Sequence, residues 1–364
     1  MTAPAFQHSP SQKIRVMIVD DSAVVRGLTR RWLEGETRIE LVKQCADGAQ
    51  ALADAAECRP DVILLDVEMP KMDGLAALPL LKRIVPDARV IMASSLTSEG
   101  AATTVRALSL GAADYVAKPN ATSLGSADSY RKELVDKIIA LGSSLVAKSN
   151  PMAAARRVNF SLRQAPAAWN SPQALVIASS TGGPQALQDL LTPIARRIEQ
   201  PILIVQHMPP AFTRIFAEKL GQTVGKPCRE AVDGDVLAPG TMLLAPGDYH
   251  MRVAKGGGLN RIVRLDRGAP VNYCRPAADP LFDSASEVFG SRVLAVVLTG
   301  MGSDGKNGAG TLVKGGGRVI VQDESTSVVW GMPGAVATAG FAEAVKPLNE
   351  LSAMTLRLMT GGGA

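Results

Sequence analysis

Two successive doubly wound α/β domains are the fold this sequence predicts, on three observations. Residues 14 to 118 alternate short apolar runs with amphipathic stretches, the same alternation resumes after Gln173, and between them the pattern dissolves into Lys148 to Pro172, which carries Pro151, an AAARR run and Pro166. A chain of 364 residues is long enough for two domains, each burying its own core. An apolar content of 46% with 20% charged residues belongs to an ordinary globular chain. Apolar runs such as Val293 to Leu298 fall far short of the ~20 residues a membrane span needs, so no membrane insertion is expected. The start, MTAPAFQHSP, lacks the charged and apolar segments of a secretory signal, and Cys45, Cys58, Cys228 and Cys274 form no CxxC spacing. A reducing cytoplasm and neither a zinc site nor a disulfide scaffold are therefore expected. The formal charge of +5 is dispersed rather than gathered in one stripe, which argues against a nucleic-acid partner.

In the first half the strands read IRVMIV, ELVKQC, DVILL, RVIMA and DYVAK, with helices at Ala23 to Leu33, Gly48 to Ala56, Gly74 to Ile84 and Gly100 to Leu110. Such alternation implies a parallel sheet with right-handed crossovers, and ligands of such sheets gather at the carboxyl ends of the strands. The first strand ends in Asp20 and Asp21, the third in Asp66, the fourth in Ser94 and Ser95, the fifth in Lys118. Three carboxylates brought together repel unless a cation compensates, and an all-oxygen set suits Mg²⁺. Lys118 supplies a fixed positive charge and Ser94 a hydroxyl for phosphoryl oxygens. In that setting a carboxylate can act as nucleophile toward a phosphoryl group and form an aspartyl phosphate.

The motifs VDDSAVVR, LLDVEMPKMDG, MASS and YVAKP, with Asp66 and Lys118 52 residues apart, resemble the response-regulator receiver family. The resemblance implies a flavodoxin-like domain in which Asp66 accepts phosphate from a histidine kinase. It also implies that Asp20, Asp21, Asp66 and the backbone of Glu68 hold Mg²⁺, with Ser94 as switch hydroxyl, Tyr115 as coupled aromatic and Lys118 as a further switch residue. A last helix from about Asp128 to Leu145 follows from Leu134, Ile138, Leu141 and Leu145.

In the second half, ALVIA, ILIVQ, VLAVVLT and RVIVQ read as strands, with helices at Gln185 to Leu191, Ala211 to Leu220, after the glycine-rich turn LTGMGSDG, and at Leu348 to Met359. GTMLLAP, YHMRVA and RIVRL read as an antiparallel excursion. The stretch ALVIASSTGGP is an apolar strand that stops at a tight turn and a helix start, a geometry that suits either an anion or a serine nucleophile. A serine hydroxyl needs an adjacent base. Of the three histidines, His8 lies in a tail, His250 sits in an alternating strand and reads as structural, and His207 follows ILIVQ on the same rim as Ser180. The orienting carboxylate is best sought at Asp304 in LTGMGSDG; Asp279 and Asp283 are rivals that read as the first turn of a helix. Asp304 also reads as a cap on the helix that follows it.

ASSTGGP, VQHMPPAFT, APGDYH, RPAADPLFDS, LTGMGSDG and QDESTSVVWGMP, behind a receiver, resemble the CheB family of chemotaxis methylesterases across nearly the whole chain. The resemblance implies a methylesterase domain with a mainly parallel sheet at 173–362, joined by a linker at 148–172 to a receiver at 13–147. It implies hydrolysis of γ-glutamyl methyl esters on chemoreceptors with release of methanol, deamidation of receptor glutamines as a related activity, and no cofactor for ester hydrolysis. Ser180 is then nucleophile, His207 base and Asp304 orienting carboxylate, with Thr181 beside the nucleophile and the Met301 N–H in the oxyanion hole. Phosphorylation of Asp66 is expected to open access to this rim. Two departures stand out: Ala178-Ser179 replaces Gly-Ala before the serine, and Cys274-Arg275-Pro276-Ala277 stands where His-Arg-Pro-Ser is expected. Only one of two successive serines at a strand end can face His207, and the alignment of Thr-Gly-Gly favours Ser180. A second half that only binds partners is the competing reading, against which the presence of Ser180, His207 and Asp304 weighs.

Overall fold

The computed structural model describes residues 13–95, 97–118, 126–149, 160–164 and 171–361. The predicted linker at 148–172 lies mostly outside them. The chain divides into two compact units, Met1–Leu96 with Leu110–Arg157, and Thr97–Ser109 with Val158–Ala364. The helix at 98–109 is thus grouped with the second unit.

The first unit is built on five strands, β1 (Ile14–Val19), β2 (Ile39–Cys45), β3 (Val62–Asp66), β4 (Arg89–Ser94) and β5 (Asp114–Ala117). They form one sheet in the order β2-β1-β3-β4-β5 with every pairing parallel. The helices α1 (Ala23–Glu34), α2 (Gly48–Cys58), α3 (Gly74–Ile84), α4 (Ser98–Ser109) and α5 (Ser126–Ser149) alternate with the strands or follow them in sequence. Each of the first three starts on a polar cap: the side chains of Ser22, Asp47 and Asp73 accept the amides of Val25, Gln50 and Ala76. β3 is buried along its whole length, as a central strand covered on both faces must be.

The second unit contains β6 (Ala174–Ser179), α6 (Gly183–Leu191), β7 (Ile202–Gln206), α7 (Pro210–Val224), β8 (Arg229–Glu230), β9 (Met242–Leu244), β10 (His250–Lys255) and β11 (Arg261–Asp266). It continues with α8 (Ala278–Phe289), β12 (Val293–Val297), α9 (Lys306–Lys314), β13 (Arg318–Gln322), α10 (Met332–Thr338), β14 (Ala344–Lys346) and α11 (Leu348–Met359). Seven strands pair in parallel in the order β14-β13-β12-β6-β7-β9-β8, and β10 and β11 form a separate antiparallel hairpin.

The expected antiparallel excursion therefore holds for YHMRVA and RIVRL but not for GTMLLAP. Met242, Leu243 and Leu244 join the main sheet parallel to β7, with Ile202 opposite Met242. All three are buried, so this strand carries the continuous apolar run of a covered parallel strand rather than alternation. The pattern leaves two helices undrawn, α8 beyond its first turn and α10: α8 buries most of its surface with only a narrow polar edge at Asp283 and Glu287, and α10 spans seven residues that include Pro333 and Gly334. α8 packs Leu281, Phe282 and Ala285, all fully buried, into the core with Val176, Ala295 and Met332.

Removing the Phe282 ring should leave a cavity in this core. We expect Phe282→Ala to lower the unfolding free energy by about 3–5 kcal/mol, read as a shift in the urea midpoint at unchanged slope.

Candidate functional site

In the second unit the chain runs from β6 to β7 on one side and returns to β12 on the other, so the carboxyl end of β6 is a topological switch point. Ser180 is the first residue past β6, His207 the first past β7, and Asp304 ends the turn after β12. The sheet order thus brings the ends carrying the three predicted residues side by side.

The two adjacent serines differ in burial. Ser179 is 0% exposed and its hydroxyl donates to Gln206 Oε1 at 2.7 Å, whereas Ser180 is half-buried at the rim. Gln206 Nε2 donates to the carbonyl oxygens of Ser180 at 3.0 Å and His207 at 3.3 Å, so one buried amide ties the ends of β6 and β7 together. The turn needs its glycines. Gly182 has φ of +75°, and a Cβ on Gly183 would meet the Gln206 side chain and lie 2.8 Å from Ser179 Cβ.

His207 Nε2 lies 2.8 Å from Asp304 Oδ2. Asp304 is 2% exposed and does not cap α9, whose cap Gly305 makes no side-chain bond. Its carboxylate instead accepts the first amides of α8, Ala278 N–H at 2.5 Å and Asp279 N–H at 3.2 Å, and Asn272 Nδ2 at 3.0 Å. Burial alone would push this carboxyl up; the hydrogen bond and charge of His207 and the two amides outweigh it and hold it below the ordinary carboxylate range. An ionised carboxylate only accepts, so in the neutral ring the His207 proton sits on Nε2 and Nδ1 is the nitrogen that takes the second proton. Burial disfavours the imidazolium, but the bonds to Asp304 and then to Cys274, whose Sγ is 3.4 Å from Nδ1, raise the His207 pKa to about 10.

The remaining expected residues of this unit fall as follows. His250 is 1% exposed, with Nδ1 accepting Ala277 N–H and Nε2 donating to the Ala269 carbonyl, which makes it structural as expected. Asp279 lies in the first turn of α8 and accepts Gly308 N–H and Asn272 Nδ2; Asp283 lies a turn further along and does not reach the cap. Thr181 is buried, and its carbonyl accepts from Thr299 Oγ1, which itself accepts the amides of Val328 and Val329. Met301 is 37% exposed at the rim, and its N–H takes no acceptor among the described residues. Next to it, a Cβ on Gly300 would lie 2.8 Å from Ser180 Cβ, so the glycine turn and the serine are in contact. Sequence reasoning does not single out Gln206, Thr299 and Asn272, and marks Cys274 only as a departure from the expected His-Arg-Pro-Ser segment. Gln206 and Thr299 had a usable signal in their place at strand ends; Asn272 had none.

In the first unit, Asp20, Asp21 and Asp66 each offer a carboxylate oxygen within 4.8 Å of the others. Lys118 Nζ lies 2.9 Å from Asp20 Oδ2 and 2.7 Å from Asp66 Oδ2. Burial drives the Asp66 pKa up to about 6 against the opposing pull of Lys118, with the Glu68 amide also bonded to the carboxylate. Three carboxylates face one ammonium, so negative charge is left over, and a donor set made only of oxygens fits a hard divalent cation. Ser94 is buried at the end of β4, its hydroxyl toward the Ser95 carbonyl at 3.2 Å. Tyr115 is buried, with the Lys137 ammonium 5.0 Å above its ring.

The CheB methylesterase family pattern matches residues 175–355 and the response regulator receiver domain pattern matches residues 16–126. A Caulobacter vibrioides protein named protein-glutamate methylesterase/protein-glutamine glutaminase 2 is 54% identical over 93% of this chain and 96% of its own length. A Rhodopseudomonas palustris protein named protein-glutamate methylesterase/protein-glutamine glutaminase is 46% identical over 98% of this chain and 97% of its own. This chain belongs to the CheB methylesterase family. The crystal structure of the Thermotoga maritima CheB methylesterase catalytic domain, 39% identical, is covered completely by 52% of this chain with a TM-score of 0.50. In this chain the receiver match precedes the methylesterase match, and each falls on a parallel α/β sheet. No helix among the described residues is long and apolar enough to cross a membrane.

The raised His207 pKa has a defined sign. Its contribution to stability is fully present below the ordinary value of 6.5 and is lost as pH rises through about 10. Hydrolysis that needs neutral Nδ1 should rise with pH into the alkaline range. Asp304→Asn should move that limb to lower pH and cut kcat on the order of 10⁴-fold, read from pH–rate profiles.

Proposed function

We propose that this chain is a phosphorylation-regulated serine hydrolase that removes methyl groups from glutamate methyl esters of chemoreceptors for chemotactic adaptation, with protein-glutamine deamidation as its related activity. The observation that carries this reading is the 2.8 Å contact of His207 with Asp304 on the rim where Ser180 emerges. Family membership along nearly the whole chain supports it.

In this reading Ser180 Oγ attacks the ester carbonyl as His207 Nδ1 takes its proton, and Asp304 stabilises the imidazolium without taking a proton itself. The tetrahedral oxyanion is held by backbone amides of the glycine turn, Met301 N–H among them. Collapse expels methanol, which leaves with the proton from Nδ1. Water, deprotonated at the same nitrogen, then cleaves the acyl-enzyme, returning Ser180 and releasing glutamate.

Control falls to the receiver. A histidine kinase donates the phosphoryl group to Asp66, and access to the esterase rim increases on phosphorylation. Mg²⁺, held by Asp20, Asp21 and Asp66 with the Glu68 backbone, would neutralise phosphoryl oxygens there when bound. Lys118 pairs with those oxygens, Ser94 is the hydroxyl that engages them, and Tyr115 responds. The substrate lies on receptor signalling helices, and the protein works in the cytoplasm. Receiver, linker and esterase are assigned to 13–147, 148–172 and 173–362.

Methanol release from methylated receptor tests the assignment. Ser180→Ala should reduce it to background while Ser179→Ala keeps most of it; the reverse pattern would show that the inner serine is the nucleophile. Asp66→Asn should retain basal hydrolysis and lose stimulation by acetyl phosphate, and equal stimulation of the variant would refute receiver control.

A further inference from the structure

His207 is held at both ring nitrogens. Asp304 Oδ2 lies 2.8 Å from Nε2, and the sulfur of Cys274 lies 3.4 Å from Nδ1. With the proton fixed on Nε2, Nδ1 is the atom that must receive the Ser180 proton, and it is also the atom the thiol touches.

The segment that carries this thiol is tightly determined. Val271 and Cys274 exchange both backbone hydrogen bonds, at 3.1 and 2.9 Å, and close a turn between them. The two residues inside the turn, Asn272 and Tyr273, are non-glycine residues in the left-handed region with φ of 51° and 65°. Such positions persist only where their surroundings over-determine them. Here Asn272 Nδ2 supplies the determination, donating at 3.0 Å to Asp279 Oδ2 and at 3.0 Å to Asp304 Oδ1. The carboxylate that grips one edge of the ring therefore also anchors the turn that presents sulfur to the other edge.

We propose that Cys274 is a positioning residue of the esterase: its sulfur aims Nδ1 of His207 toward the rim, and, being a weak hydrogen-bond partner, it gives way when Ser180 takes that nitrogen. This rests on the esterase reading above. A thiol is both a weak donor and a weak acceptor, so it orients the ring in either protonation state without competing strongly with a hydroxyl. Once His207 carries two protons, the sulfur accepts from Nδ1–H while Asp304 accepts from Nε2–H. The groups that set the charge of the ring are thus Asp304 after β12 and Cys274 before α8; Asp279 in α8 faces Asp304 and is joined to it through Asn272. Ser180 at the end of β6 is the uncharged fourth. The same position favours cysteine over serine, whose shorter and stronger bond would hold Nδ1 against the nucleophile.

The test is a comparison of Cys274→Ala and Cys274→Ser in the full chain. The chain has three histidines, so the His207 Hε1 signal can be assigned with His207→Gln and titrated by proton NMR, independently of any activity. Cys274→Ala should lower the His207 pKa and reduce kcat about fivefold, the loss of roughly one hydrogen bond, with KM for methylated receptor little changed. Cys274→Ser should titrate closer to wild type than the alanine variant yet turn over more slowly than wild type. A His207 titration in Cys274→Ala that superimposes on wild type would overturn the proposal, as would a loss confined to KM. Should Cys274→Ala fail to fold, the serine variant decides: turnover equal to or above wild type would overturn the proposal. A wild-type chain that releases no methanol would contradict the esterase reading, while the NMR titration would still decide whether the thiol holds the ring.

Discussion

The carboxylate of Asp304 is the point on which the second unit turns. It is buried and ionised, a combination that is costly unless donors surround it. The donors are His207 Nε2, two amides at the start of α8 and Asn272. The positive end of the α8 dipole adds to their effect. One charge thereby fixes the tautomer of His207, the docking of α8 on the turn after β12, and the turn at Val271 to Cys274. The expected cap on the helix that follows Asp304 is not formed; the carboxylate instead accepts the first amides of α8 while it holds His207 Nε2.

The receiver solves the opposite electrostatic problem. At the carboxyl end of its sheet Asp20, Asp21 and Asp66 converge, and the Lys118 ammonium bonds Asp20 and Asp66. Burial with a surplus of negative charge keeps Asp66 hard to ionise, at a pKa of about 6, until a cation balances it. A cluster built this way is poised for a divalent ion and a phosphoryl group, whereas the rim around His207 is already neutralised from within. Both edges follow the rule that parallel sheets place chemistry at strand carboxyl ends, yet they share no group among the described residues.

Most of the sheet framework was legible because covered parallel strands advertise themselves as unbroken apolar runs: β6, β7, β12 and β13 sit where ALVIA, ILIVQ, VLAVVLT and RVIVQ place them. The residues following those runs then had to share a rim, which brought Ser180, His207 and Asp304 into view. Alternation allows only one of Ser179 and Ser180 to face His207, the alignment of Thr-Gly-Gly favours Ser180, and in the structure Ser179 is the one turned inward, onto Gln206. What stayed hidden depended on contacts across long stretches of chain. Cys274 meets His207 from 67 residues away, and Asn272 meets Asp304 from 32 away, with no periodicity to signal either. β9 was misjudged because three residues are too few to distinguish a buried run from alternation. α8 was read only at its first turn although Asp283 and Glu287 keep a polar edge, and α10 is seven residues with a proline and a glycine, too short to set a period.

The central claim is that Ser180, activated through His207 and Asp304, is the nucleophile of this chain. Reaction with a fluorophosphonate followed by peptide mapping in a mass spectrometer tests it most directly, because the reagent marks the activated hydroxyl itself. The account predicts one adduct, on the peptide carrying Ser180, absent from Ser180→Ala and strongly slowed in His207→Gln. Labelling at Ser179 or Cys274, or labelling of Ser180 at an undiminished rate without His207, would contradict it.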